Sequence, residues 1–115
     1  MPQTIREMIR TMQIEIRDTD LLPDRAADLL RAAAALIGNV NDEIRHADVT
    51  YAHVLLRELE TSTKANRARI RAETSPEYLR KREARDTKEL VIELIRSLKY
   101  FLRAKADEQQ YAGHQ

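Results

Sequence analysis

Three features of the sequence predict an all-α protein: a long antiparallel helical hairpin, coiled-coil-like, with a short N-terminal helix. The composition is 34% charged and 4% aromatic, with two glycines in 115 residues, a profile of long helices rather than of a large aromatic core. Apolar residues recur at heptad spacing through the middle of the chain. Two apolar stretches also fall opposite each other if the chain reverses near Thr74-Ser75. A chain of this length is expected to form a single helical domain over residues 1–115.

The first helix is expected over 4–17, where Ile5, Met8, Ile9, Met12 and Ile16 keep three- and four-residue spacing. Met12, Ile14 and Ile16 also alternate, which leaves an extended end to this segment open. The stretch DTDLLPD (18–24) interrupts the pattern, and Pro23 suits the start of the next helix. For that second helix, Gly38-Asn39 reads as a stop signal, but the phase argues otherwise. Leu30, Ile37, Ile44 and Tyr51 are each seven apart, as are Ala33, Val40, Ala47 and Val54. Both series cross Gly38 without slipping a residue, so one helix is predicted over 24–72. Gly38 inside it costs only about 1 kcal/mol relative to Ala. In ETSPE (73–77), Ser75 is a good N-cap with Thr74 as an alternative, Pro76 fits the first helical position and Glu77 favours the positive helix end. The third helix is expected over 76–109, striped by Leu90, Val91, Leu94, Ile95, Leu98, Phe101 and Leu102, with 110–115 as a frayed tail. A fold-back at Thr74-Ser75 pairs residues whose numbers sum to 149: Leu59 with Leu90, Leu55 with Leu94 and Tyr51 with Leu98.

The absence of cysteine excludes disulfides, thiol catalysis and Cys-ligated zinc. No apolar run approaches the roughly 18–20 residues that span a bilayer. The N-terminus MPQTIREMIRTMQIEIRD lacks the apolar stretch of a signal peptide. A soluble cytoplasmic protein without membrane contact is expected. Glu43 and His46 form one E-x-x-H step, but a di-iron bundle needs two such steps and two further glutamates. His46 and His53 share a helix flank and are expected to be solvated rather than metal ligands. No phosphate loop, nucleophile elbow or H-E-x-x-H is present. A non-enzyme without cofactor or metal is therefore expected.

Charge carries the clearest functional signal. Residues 64–88 hold nine basic and four acidic side chains, a net of +5, whereas the other 90 residues net −4. Lys64, Arg67 and Arg71 lie at i, i+3 and i+7 on one helix face, with Arg69 beside them. Lys81, Arg85 and Lys88 make a second row, with Arg82 beside it. On adjacent antiparallel helices, two such rows can follow a phosphate backbone, with binding driven by counterion release. Tyr78 is the only ring in this segment, so base stacking is limited and binding sequence-independent. The alternative is a solvated surface in which Glu73 pairs with Arg69, Glu77 with Lys81 and Asp86 with Arg82. Composition alone leaves both readings open.

The segment from about Asn41 to Ala106 resembles the UvsY-type phage recombination mediators. The resemblance rests on a long amphipathic helix ending in STKANRARIRAE (62–73), a short polar break, and a second long helix, EYLRKREARDTKELVIELIRSLKYFLRA (77–104). It implies a small helical protein that forms homo-oligomers and binds single-stranded DNA without sequence preference. It further implies partners in a recombinase or a single-strand binding protein, and a host cytoplasm as the setting. The DNA-contacting positions of the family fall on Lys64, Arg67 and Arg69, and those of the following helix on Lys81 and Arg85. The resulting expectation is a non-enzymatic DNA-binding accessory of phage recombination or replication. Its competitor is a coiled-coil interaction module, an assembly chaperone or inhibitor that uses the apolar faces of residues 5–37.

Overall fold

The structure, a computed structural model, describes residues 2–113, with side chains described through residue 110. Within that range there are four helices: α1 (Ile5–Asp18), α2 (Pro23–Thr61), α3 (Ala65–Glu73) and α4 (Pro76–Gly113). No described residue is in a strand, and α2 and α4 pack against each other as the arms of a helical hairpin. The all-α hairpin with a short N-terminal helix is thus the observed fold. No helix is long and apolar enough to cross a membrane.

Local chemistry explains most of the boundaries. Thr4 caps α1 in a reciprocal box: its hydroxyl accepts from the Glu7 amide, and the Glu7 carboxylate accepts from the Thr4 amide. The alternation at the end of this segment does not make it extended; Ile14 is exposed, while Met8, Met12 and Ile16 are half-buried. Pro23 opens α2, and α2 runs through Gly38 unbroken, as the phase requires. At the start of α4, the Ser75 hydroxyl accepts from the Tyr78 amide and donates to the Ala72 carbonyl, so one side chain closes α3 and caps α4. α4 is helical to Gly113, past the expected end at 109, and residues 114 and 115 of the expected frayed tail lie outside the described range.

The expected long helix to residue 72 is corrected at Ser62–Lys64. The chain leaves the helix there without glycine or proline. Thr61 donates back to the Arg57 and Glu58 carbonyls, the Ser62 N–H still closes the last helical turn on Glu58, and the Ser62 hydroxyl donates forward to the Lys64 carbonyl, which holds the break. This shifts the reversal of the chain. Tyr51 meets Tyr78 and Lys81, and Asp48 meets Arg85. These pairs have residue numbers summing to roughly 130, not 149, as an antiparallel return from the break at 62–64 requires. The predicted contact of Tyr51 with Leu98 is replaced accordingly.

The contacts of the chain divide it into two compact units, Met1–Gly38 with Glu89–Gln115, and Asn39–Lys88. In the first, α1, the start of α2 and the end of α4 enclose Ile5, Ile9, Leu21, Ala26, Leu29, Ala33, Leu36, Val91, Leu94 and Leu98. Ile16 and Gln13 of α1 line a shallow depression of about 180 Å³ with Leu94 and Ser97, which lays α1 along α4. Arg25 donates two hydrogen bonds, at 2.6 and 2.8 Å, to the Glu15 carboxylate and staples the end of α1 to the start of α2. In the second unit, Val40, Tyr51, Ala68, Ala72, Ala84 and Thr87 are buried. The Thr87 hydroxyl donates to the Glu83 carbonyl one turn back.

The buried stripe of α2 keeps heptad spacing from Ala26 through Ala33 to Val40, with Leu29 and Leu36 between them, and departs from it only beyond Val40. Val40 and Tyr51 are buried, whereas Leu30, Ile37 and Ile44 are only half-buried. An eleven-residue interval suits a straight helix, because 3.6 residues per turn drifts by about 20° against each heptad.

Two outcomes follow. A Cβ built on Gly38 meets nothing within 4 Å, and its backbone is helical. Gly38→Ala should therefore raise stability by about 0.5–1 kcal/mol, read as a rise in Tm of about 2–5 °C. The Arg25 hydrogen bonds hold the Glu15 carboxyl below its ordinary value. Its contribution to stability is complete above the unfolded-state value and disappears as pH falls through the lower folded-state value. In Arg25→Gln, the Glu15 titration followed by NMR should move back up to the ordinary carboxylate range.

Candidate nucleic-acid interface

The eight basic residues singled out by the sequence divide into two groups once the register is known. From Tyr51 to Thr61, α2 covers ten residues, or about 15 Å, and the nine residues of α3 cover about 13 Å on the way back. So α3 and α4 run one after the other along the returning arm of the hairpin. The rows Lys64-Arg67-Arg71 and Lys81-Arg85-Lys88 therefore lie end to end, not side by side across a bend as the sequence suggested.

The α3 group is free. Ala68 and Ala72 are fully buried and define the packed side of this short helix. Small side chains there let the backbone of α3 approach its neighbours closely, which leaves the remaining positions outward. Lys64, Arg67 and Arg71 line one flank, Arg69 the other, and all four are exposed. Lys64, at the N-cap, and Arg67 also border a shallow depression with Ala65, Asn66 and Ile70. Neither these four side chains nor Arg82 makes an ion pair among the described residues. The screening pairs considered from sequence, Glu73 with Arg69, Glu77 with Lys81 and Asp86 with Arg82, do not form there.

The α4 group is partly committed to holding the fold. Lys81 is half-buried, with its ammonium 4.6 Å from the centre of the Tyr51 ring. Tyr78 packs on the same ring at 5.3 Å, tilted by 48°. Burial raises the Tyr51 hydroxyl above its ordinary pKa; Glu73 and Tyr78 add to the rise and Arg69 opposes it. Arg85 reaches across to Asp48 at 2.9 Å. The other Asp48 oxygen, Oδ1, is buried without a hydrogen-bond partner, so Arg85 is the contact that compensates this carboxylate. Lys88 is half-buried and Arg82 exposed. The partners of Lys81 and Arg85 lie 30 and 37 residues away in sequence, beyond the reach of any i, i+4 argument.

The histidine and carboxylate candidates stay apart. Glu43, His46 and His53 are all exposed, and no three His, Asp or Glu side chains converge among the described residues. Comparisons with protein-family models, curated proteins and solved structures find no match to this chain.

The division of the cations makes a stability prediction. Arg85→Ala uncovers Asp48 and Lys81→Ala removes the cation from Tyr51, so each should cost roughly 0.5–1.5 kcal/mol in urea denaturation. Arg67→Ala and Arg71→Ala should leave the midpoint within the scatter of ordinary surface substitutions, about 0.5 kcal/mol.

Proposed function

We propose that the protein is a non-enzymatic accessory protein that binds single-stranded DNA, with α3 and the start of α4 as its phosphate-binding arm. The observation that carries this reading is the row Lys64, Arg67 and Arg71, exposed along one flank of α3 with no ion-pair partner among the described residues. Successive cations rise roughly 4.5 and 6 Å along the helix axis, which suits contact with consecutive phosphates of one strand. Arg69 and Arg82 extend the charge on either side. Lys81, Arg85 and Lys88 contribute field more than direct contact, since the first two are engaged within the fold.

Binding through such an arm is indifferent to sequence. Tyr78, the one ring of the basic segment, is half-buried and packs on Tyr51, so stacking on bases is limited. A homo-oligomer presenting several arms to one strand turns modest contacts into useful avidity. The sequence resembles the UvsY-type mediators, although the long helix on which that resemblance rests ends at Thr61 and resumes at Ala65; on that resemblance the setting is phage recombination or replication. The partners are then a recombinase or a single-strand binding protein in the host cytoplasm. The competing reading, a chaperone or inhibitor acting through the apolar face of residues 5–37, loses much of its surface. Ile5, Ile9, Leu21, Leu29 and Leu36 are buried within the chain's own core, which leaves Ile14 and Leu22 as the exposed large apolar side chains of that stretch.

Five free cations on a single strand predict a slope of about −3.5 for log affinity against log salt. The charge reversal Arg67→Glu with Arg71→Glu should lower affinity for a fluorescent oligonucleotide at least tenfold and flatten that slope, with helicity unchanged by circular dichroism. Undiminished binding in this variant removes α3 from the interface. A preference for duplex over single strand at equal salt assigns the arm to double-stranded DNA instead.

A further inference from the structure

One face of α2 has no partner among the described residues. Arg45, Val49, Ala52, Leu56 and Glu60 follow one another at intervals of four, three, four and four residues, which aligns them on one side of the helix. All five are exposed, Val49 at 50% and Leu56 at 55%. Tyr51, which packs against α4, points from the opposite side. The face therefore has two large apolar side chains in water, a small residue between them, a cation at one end and an anion at the other.

That order is its own complement when reversed. We propose that this face binds a second copy of the chain, with two α2 helices antiparallel about a two-fold axis beside Ala52. Reversal puts Val49 of each copy against Leu56 of the other, and Arg45 of each against Glu60 of the other. Every contact occurs twice, as an isologous interface demands. Ala52 at the axis carries no side chain beyond Cβ, so the helices approach closely where they cross. The end charges are available for this. Arg45 has only a long 3.9 Å contact with Asp42, exposed on both sides, and Glu60 has no ion pair among the described residues. A foreign amphipathic helix would match the apolar centre, but opposite charges seven residues before and eight residues after Ala52 match this sequence run backwards.

The contact is small. Fifteen residues of helix span about 22 Å, and one such crossing lies below the usual 1,200–2,000 Å² of a stable interface. The dimer should form reversibly at micromolar or higher concentration. It gives the homo-oligomer of the proposed function a specific contact and so rests on that part of the reading, whereas phosphate binding by a single arm does not require it.

Sedimentation equilibrium from micromolar to millimolar protein tests the contact, with oligonucleotide binding measured on the same samples. The wild type should shift from monomer to dimer mass. Arg45→Glu and Glu60→Arg should each weaken self-association about tenfold or more, because each sets like charges opposite one another twice. Mixing the two single variants should restore association as a heterodimer, and combining both substitutions in one chain should restore the homodimer. The proposal is overturned by a wild type that stays monomeric, by single variants that dimerise unchanged, or by a mixture that fails to recover. A monomer that still binds the oligonucleotide overturns only the α2 contact, and a dimer that binds no oligonucleotide overturns only the DNA reading.

Discussion

The register of α4 on α2 determines what the rest of the second unit can be. It is pinned by one buried ring, Tyr51, held between Tyr78 and Lys81, and by the Asp48–Arg85 ion pair a turn away. With that register fixed, the chain beyond Tyr51 must travel out along α2 and return over a nearly equal distance, and α3 is the segment that makes the return. Its inner side is formed by two buried alanines, Ala68 and Ala72. Everything else on α3 faces outward, which is why a stretch so rich in arginine is tolerated there. The charge of the arm is thus a consequence of where the hairpin turns.

Much of this was legible in the sequence. The uninterrupted phase through Gly38 outweighed a glycine that helix propensity alone would have made a stop, and α2 is continuous there. Ser75-Pro76 marked a helix start through cap chemistry that acts locally, and local chemistry is what sequence encodes best. The break at 62–64 was harder to see. Thr61, Ser62 and Thr63 lack the backbone restrictions of proline or glycine, and each hydroxyl has only a modest preference for bonding the main chain. A run of three such residues is nevertheless a loop signal, and weighing it above the heptad count would have moved the reversal to its observed place.

The candidate interface was half legible for a related reason. The i, i+3, i+7 row of Lys64, Arg67 and Arg71 is a short-range pattern and survives in the structure as an exposed flank. Lys81 and Arg85 look equally free in sequence, yet their partners come from a different helix. Identical residue types thus divide into cations that hold the hairpin together and cations that face solvent. The outer face of α2, by contrast, was visible neither as core nor as charge, because Val49, Ala52 and Leu56 stand out only once the seam on the other side of the helix is known.

Cross-linking reports the register most directly, since the chain has no cysteine of its own. One turn along from the Asp48–Arg85 pair, Ile44→Cys with Lys88→Cys should form an intramolecular disulfide under mild oxidation. Thr61→Cys with Lys88→Cys, the pair that a reversal at Thr74-Ser75 would bring together, should stay reduced. Efficient closure of the 61–88 pair with an open 44–88 pair would contradict the account, returning the bend to 74–75 and setting the two basic rows side by side.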